Sequence, residues 1–153
     1  MTAVRAGDRD PAADLTVETP FGEMTVDPAT EVQFPLGIPG FEACRRFVVL
    51  SRPELGSFSC LHSLDGPAAS FLVIDPRLVV PQYRCAVSQN DLARLGASPD
   101  TVLLWLALVS FDDDGRAYTN LRAPIVINPE RMLGYQVMPH NSLYPLRHPL
   151  ASE

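Results

Sequence analysis

The chain has 153 residues, of which 46% are hydrophobic and 20% charged, and it carries a net charge of −6. This length and composition predict one globular domain with a substantial core, and the acidic balance argues against a nucleic-acid binder, because phosphate binding requires a basic face. The 12 basic residues are all arginine, so chemistry that depends on a lysine side chain, such as Schiff-base formation, is excluded.

Residues 1–14 are small and charged and show no hydrophobic periodicity, which predicts a disordered tail ahead of a domain that spans residues 15–150. The sequence shows neither a signal-peptide pattern nor an apolar run of about 18 residues, so we expect a cytoplasmic protein with no membrane partner. Cys44, Cys60 and Cys85 form no CxxC pair. They fit reduced thiols in the cytoplasm.

The sequence alternates short apolar segments with turn residues, and its 15 prolines favour strands and turns over long helices. The pattern predicts about ten short strands, at Leu15–Thr19, Glu23–Asp27, Glu31–Phe34, Arg46–Leu50, Phe58–Ser63, Ser70–Ile74, Thr101–Phe111, Tyr118–Leu121, Ile125–Ile127 and Tyr135–Met138. Trp105 lies within the most apolar of these segments, which predicts a core position.

One short helix is predicted after residue 88. Ser88 can cap it, Asp91 suits its first turn, Leu92 and Leu95 form an apolar stripe, and Gly96 can end it. Together with the strands, this helix predicts an all-β, antiparallel, barrel-like single domain.

The segment from Tyr118 to Asn128 combines two apolar pieces with an interruption. Proline lacks the N–H group that a sheet ladder needs, so Pro124 predicts a break in the sheet or an edge position. Asn120 and Asn128 lie beside apolar positions, and their amides need hydrogen-bond partners if they are buried.

Metal sites are considered and rejected. An EF-hand loop that places Gly115 at its sixth position puts Leu121 where a bidentate glutamate is required, so the acidic run Asp112–Asp114 predicts a hairpin turn. Cys60 and His62 share one face of a strand, but no second ligand pair accompanies them. We therefore expect neither a metal nor another cofactor.

Catalytic and ligand-binding motifs are equally sparse. The GxSxG nucleophile motif is absent, and we expect no enzyme activity. Arg5 and Arg9 match the RxxxR element of cyclic-dinucleotide receptors, but the D/NxSxxG element that accompanies it there is missing.

Two segments carry a family resemblance. Residues 34–42 read FPLGIPGFE, and residues 120–128 read NLRAPIVIN. They resemble the signatures F-x-x-G-I/L-P-G-F and N-L-x-A-P-I-x-x-N of the bacterial flagellar assembly factor FliW family. Further matches follow the family's order, namely Phe71–Pro76, Tyr83, Gln136–Met138, Tyr144 and Arg147–Pro149. The likeness spans about Leu15 to Leu150.

The resemblance implies a cytoplasmic, barrel-like monomer without known catalysis. Members of this family bind newly made flagellin near its terminal helices, and they also bind and antagonise CsrA, a small RNA-binding regulator. When flagellin is exported, the freed family member removes CsrA from the flagellin message and translation resumes. No direct nucleic-acid partner is implied. The alternative from another class is a small β-barrel receptor for a nucleotide or flavin.

The resemblance also supplies candidate residues. Those expected to contact a partner are Ile38, Glu42, Asp75, Asn120, Leu121, Pro124, Gln136 and Tyr144. Those expected to shape the motif are Gly37, Pro39, Gly40, Phe41 and Asn128. Within the first motif, Ile38 is the candidate for exposure and Phe41 the expected core plug. Glu42, Asp75 and Asp112–Asp114 are expected to attract a basic partner. A structural role and a contact role both stay open for Asn120 and Pro124, with Asn120 favoured as a contact and Asn128 as structural.

Overall fold

The computed structural model describes residues 15–65 and 69–150, so the predicted N-terminal tail lies outside the described residues. Within those ranges it contains eleven strands and two short α-helices. In chain order they are β1 Leu15–Thr19, β2 Gly22–Val26, β3 Val32–Gln33, β4 Arg46–Leu50, β5 Phe58–Ser63, β6 Ser70–Ile74, α1 Pro76–Val79, α2 Gln89–Leu95, β7 Leu104–Phe111, β8 Ala117–Thr119, β9 Ile125–Asn128, β10 Leu133–Gln136 and β11 His148–Pro149.

Seven of these strands close into a barrel in the order β7, β6, β5, β4, β3, β10, β9, and β9 pairs with β7 to complete the ring. The barrel pairs are antiparallel except for β3 with β10, which meet in parallel at Gln33 and Leu133. The all-β barrel fold predicted from the sequence is confirmed. The parallel pair, α1 and β11 were not predicted.

Apolar side chains fill the barrel interior. Strand residues alternate between the two faces of a sheet, so every second residue points inward. Phe34 and Phe47 meet edge to face with ring centroids 5.0 Å apart. Around them pack Val32, Leu61, Val73, Leu106, Ile125 and Ile127. Each buried side chain of this size contributes about 1.5–3 kcal/mol. The interior is thus a packed core, which weighs against a receptor that encloses its ligand.

The hairpin of β1 and β2 covers part of the outer barrel surface. Its Met24 and Val26 pack against Val48 and Cys60 on β4 and β5. His62 follows Cys60 by two residues and therefore projects to the same face of β5. Only 3% of His62 is exposed, and its Nδ1 shares a hydrogen bond with the Ser70 hydroxyl.

Helix α2 covers another part of the outer surface and has the predicted caps. The Ser88 hydroxyl accepts a hydrogen bond from the backbone N–H of Asp91, and Gly96 ends the helix in the left-handed conformation at a φ of 63°. Leu95 is fully buried against Val126 and Val137. Trp105 also packs on this outer face and is half-buried. The prediction of a core position for Trp105 is therefore only partly confirmed.

The predicted break at Pro124 is confirmed. Strands β8 and β9 pair along the same edge of β7, β8 opposite residues 109–111 and β9 opposite residues 104–106. Between them the chain leaves the ladder, and Pro124 lies in this segment. We call residues 120–124 the strand interruption.

Gly134 on β10 gives a test of core packing. A Cβ at this position would lie 2.4 Å from the Phe34 ring, which is fully buried and cannot swing away. We expect Gly134→Ala to lower the free energy of unfolding by about 2 kcal/mol through overpacking. Urea denaturation measures the change.

Phe34→Leu provides the matched background for that test. If the clash with Phe34 is the cause, Gly134→Ala destabilises the Phe34→Leu protein less than it destabilises the wild type. Equal losses in the two backgrounds would contradict this explanation.

His62 predicts a pH dependence of stability. Burial lowers the pKa of His62 from its ordinary value of 6.5, so the unfolded state binds more protons than the folded state just below that pH. The free energy of unfolding should therefore be fully retained above about pH 6.5 and fall as the pH drops towards the folded-state pKa. Urea denaturation across this window should show the loss for the wild type and a smaller loss for His62→Gln.

The exposed His140 supplies the control, since His140→Gln should keep the wild-type pH dependence. The ordinary pKa values of Asp and Glu lie near 4, so carboxylates lose their contributions at lower pH. If the free energy of unfolding falls with pH as steeply in His62→Gln as in the wild type, His62 is not the group responsible for the loss.

Candidate protein-binding surface

The first signature segment forms a loop that its own backbone holds. The N–H of Gly37 donates to the carbonyl of Phe34 at 2.8 Å, and that of Phe41 donates to the carbonyl of Ile38 at 2.6 Å. The loop closes where the N–H of Cys44 donates to the carbonyl of Phe41 at 3.0 Å. Residues 34–44 are thus a fixed structure, which we call the signature loop.

Two glycines make this loop possible. Gly37 has a φ of +67°, and a Cβ there would lie 2.6 Å from the Cα of Glu42. Gly40 has a φ of +89°, and its N–H donates to the Glu42 carboxylate at 3.0 Å. Residues that carry a side chain rarely adopt positive φ values of this size, so the backbone conformation favours glycine at both positions.

The expected roles of Ile38 and Phe41 are reversed. Ile38 is 2% exposed and belongs to the barrel core, so the expectation of an exposed Ile38 is wrong. Phe41 is 43% exposed and rests one ring edge on Phe71, with centroids 5.0 Å apart. The physical reason is the turn, in which Ile38 and Phe41 pair as an antiparallel bridge. The compact isoleucine fills the core, while the larger ring lies over Phe71.

The outer side of the signature loop combines apolar and acidic groups. Leu36 is 56% exposed and was not singled out from the sequence, although its place before Gly37 in a tight loop was a usable signal. With Phe41 and the exposed Glu42 it forms a candidate contact surface, which is preorganised because the backbone beneath it is hydrogen-bonded.

Carboxylates around the loop stay ionised at neutral pH. The pKa of Glu42 is lowered by the hydrogen bond from the Gly40 N–H. The pKa of Glu31 is lowered by its hydrogen bond with Arg46, at 3.1 Å. Asp65 accepts from the backbone N–H groups of Arg45 and Arg46, which lower its pKa too.

The strand interruption is held by its own Asn120 and by two side chains from distant parts of the chain. The Asn120 Oδ1 accepts from the backbone N–H groups of Arg122 and Ala123, both at 3.0 Å. Gln136 donates from its Nε2 to the Ala123 carbonyl at 2.9 Å. The Tyr83 hydroxyl donates to the Leu121 carbonyl at 2.8 Å. Burial raises the pKa of Tyr83, so this donor stays protonated.

Burial bears on the expected contacts in this region. Leu121, Pro124 and Gln136 are buried and present almost no surface, and their contact with a partner stays a prediction that this burial disfavours. Pro124 instead accepts a hydrogen bond from the N–H of Val137 at 2.9 Å. Asn120 is half-buried, with its oxygen used in the turn.

Asn128 ties a helix to the barrel. It is fully buried, and its Nδ2 donates to the carbonyls of Leu95 and Gly96 at 2.8 and 3.2 Å. Its Oδ1 accepts from the N–H of Glu130 at 3.0 Å. The amide thereby satisfies carbonyls at the end of α2 that have no partner within the helix.

Asp75 and Tyr144 complete the expected residues. Asp75 is half-buried and caps α1 by accepting from the N–H of Arg77 at 2.9 Å. The Tyr144 hydroxyl accepts from the N–H of Arg84 at 3.0 Å, and its ring lies 4.6 Å from that of Tyr83. The eight expected contacts therefore do not form one patch. Ile38 and Glu42 belong to the signature loop, whereas Tyr144 packs with Leu121 beside the strand interruption.

The rejected metal motifs have structural explanations. The Asp112 carboxylate accepts from the N–H groups of Asp114 and Arg116, both at 2.9 Å, so the acidic run forms a hairpin turn. Within residues 15–65 and 69–150, no group of three or more His, Cys, Asp or Glu side chains could hold a metal ion. None of the three cysteines forms a disulfide. Arg5 and Arg9 lie outside the described residues.

Helices long and apolar enough to cross a membrane are not found in the part of the chain that the structure describes.

Comparison with known proteins decides the family. A protein-family model described as FliW protein matches residues 16–150. The chain belongs to the FliW family. Among its relatives is the flagellar assembly factor FliW of Natranaerobius thermophilus, 36% identical over 135 residues, which cover 87% of this chain and 89% of the relative. The flagellar assembly factor FliW of Thermotoga maritima is 33% identical over 141 residues, or 91% and 95% of the two chains.

The fold agrees with that of a solved FliW structure. A crystal structure of the flagellar assembly factor FliW superposes with a TM-score of 0.79 at 31% sequence identity. The match covers 90% of this chain and 98% of the solved one. The barrel and the family assignment therefore support each other.

The reversal of Ile38 and Phe41 is testable by paired substitutions. Ile38→Asp should lower the free energy of unfolding by about 4 kcal/mol or more, since it removes a buried side chain and buries an uncompensated charge. Phe41→Ala should lower it by only about 1–2 kcal/mol, because the ring is partly exposed. Thermal and urea denaturation measure both. A folded Ile38→Asp protein of near wild-type stability would contradict the burial of Ile38.

Proposed function

We propose that this chain is a cytoplasmic, monomeric flagellar assembly factor that acts by binding proteins and not by catalysis. In this proposal it binds flagellin as a chaperone, and it also binds and antagonises the translational regulator CsrA. Flagellin that accumulates occupies the protein. Export of flagellin frees it to remove CsrA from the flagellin message, and repression ends.

The family match over residues 16–150 is the observation that carries this proposal. Both signature segments lie within that range and are built into the fold, one as the signature loop and the other as the strand interruption with β9. Relatives that bear the name flagellar assembly factor cover nearly the whole chain.

The charge of the chain supports a basic partner. A regulator that binds RNA needs basic surface, and a chain of net charge −6 attracts such a surface over several ångströms. Glu42 sits beside two exposed apolar side chains, Leu36 and Phe41. This pairing of a carboxylate with apolar anchors suits a protein contact, in which charge speeds the encounter and burial holds the complex.

Titration of the purified protein with purified flagellin and with purified CsrA tests the proposal. Stoichiometric binding to both supports it, whereas failure to bind either protein would contradict it. A nucleotide or flavin that copurifies with a protein unable to bind either partner would favour the alternative receptor function.

Charge attraction to CsrA has its own expected outcome. The association rate constant should fall about tenfold or more as NaCl rises from about 50 to 500 mM, because salt screens steering between opposite charges. Glu42→Gln should slow association modestly, since it removes the charge but leaves an oxygen to accept from Gly40. The exposed Glu54, which pairs with Arg52 in another loop, gives the control variant Glu54→Gln. Association rates insensitive to salt would refute steering.

A further inference from the structure

A groove of about 990 Å³ lies on the barrel surface, away from the packed interior. One wall is formed by residues 84–88, which lead into α2, and by Asn90, Asp91 and Arg94 on the helix itself. The opposite wall is formed by Tyr135 and residues 138–144. Tyr144 and Met138, which line the groove, belong to matched family segments, but no sequence motif joined them to residues 84–94, because the two walls are about 50 residues apart in the chain.

Hydrogen bonds and ring contacts fix the walls. The Nη1 of Arg94 donates to the Tyr135 hydroxyl at 2.6 Å, and its guanidinium lies 5.0 Å from the ring centroid of Tyr135. On the other side, the backbone N–H of Arg84 donates to the Tyr144 hydroxyl. Side chains already held in place lose little conformational entropy when a partner binds.

Apolar side chains stand exposed along one wall. Met138 is 54% exposed and Leu143 is 98% exposed. Methionine adapts its shape to a partner surface and is frequent at protein-binding grooves. A leucine with almost its whole surface in water gains a large burial energy when a partner covers it.

The charge of the groove is opposite to that of the whole chain. Arg84 and Arg94 line it together with one carboxylate, Asp91, which lies 3.8 Å from Arg94. Within the described residues, the Arg84 guanidinium has no ion pair or hydrogen bond. On a chain of net charge −6, this local excess of arginine complements an occupant that carries carboxylates.

The form of the walls favours a helical occupant. Of the lining residues, Tyr135 alone belongs to a strand, so an extended segment finds little strand edge to pair with. A helix docks instead through side chains, with its apolar stripe in the groove. A small ligand fits less well, because small-molecule sites enclose most of the ligand, whereas Leu143 stands almost fully in water at the groove.

We propose that this groove holds an amphipathic, carboxylate-bearing helix of a protein partner, with its apolar stripe on Met138 and Leu143 and an acidic side chain opposite Arg84. Resting on the function proposed above, the helix is one of flagellin. The flagellin helix then presents carboxylates to the groove, whereas the basic regulator is expected to bind the acidic surface outside the groove.

Binding of purified flagellin to Arg84→Glu and Leu143→Ser, measured by calorimetry, tests the proposal. Each substitution should raise the Kd by about tenfold or more, through charge repulsion in the first and lost apolar contact in the second. The matched controls are Arg116→Glu and Leu78→Ser, which change an exposed arginine and an exposed leucine outside the groove and should leave the Kd within about twofold.

The outcomes separate this inference from the proposed function. If wild type binds flagellin and both groove variants bind it as tightly, the groove assignment is overturned while the function stands. If wild type does not bind flagellin, the function fails and the assignment falls with it. Binding of ATP or FMN that Arg84→Glu abolishes, with flagellin binding unchanged, would also overturn the proposal. Thermal denaturation of each variant establishes that it is folded, and Arg84→Gln should give an intermediate Kd.

Discussion

The architecture depends on how the chain leaves and rejoins one edge of β7. Backbone groups that leave a ladder inside a protein need other partners, because an unpaired buried group costs about 1–3 kcal/mol. Here the carbonyl of Leu121 accepts from Tyr83, that of Ala123 from Gln136, and that of Pro124 from the N–H of Val137. Two separate parts of the chain, Tyr83 and the adjacent residues Gln136 and Val137, thus supply the missing bonds. The strand interruption consequently fixes how those parts sit on the barrel.

The same bonds shape the candidate groove. Arg122, within the strand interruption, donates from its Nε to the carbonyl of Tyr144 at 2.8 Å, and Tyr144 in turn stacks on Tyr83. One groove wall is therefore anchored to the break in β7's edge pairing. The other wall is anchored through Asn128, whose amide holds the end of α2 against β9. The groove can stay open on a packed barrel because each wall is hydrogen-bonded to residues in or beside the barrel strands, in addition to the bonds between the walls.

Sequence patterns predicted local structure better than surfaces. Alternation and turns gave the bounds of β4, β5 and β6, and capping residues gave α2, because these signals act over a few residues. The parallel contact between β3 and β10 joins residues about 100 positions apart, which no local pattern encodes. Ile38 was expected to be exposed because it lies between Gly37 and Pro39, but the local sequence does not show which side of a tight loop faces the core, so the roles of Ile38 and Phe41 were exchanged. The groove was missed because its two walls lie about 50 residues apart in the sequence and come together only in the folded chain.

Most signature residues serve shape, which changes where binding specificity must lie. Gly37 and Gly40 set the loop backbone, while Gln136 and Asn128 satisfy buried carbonyls. Substitutions there alter stability and disturb every surface at once, so a loss of binding in them identifies no contact. Exposed positions such as Leu36, Arg84 and Leu143 can change without disturbing the core. We therefore expect the exposed side chains, including that of Phe41 within the signature, to determine partner choice, while the buried signature residues keep those side chains in a fixed geometry.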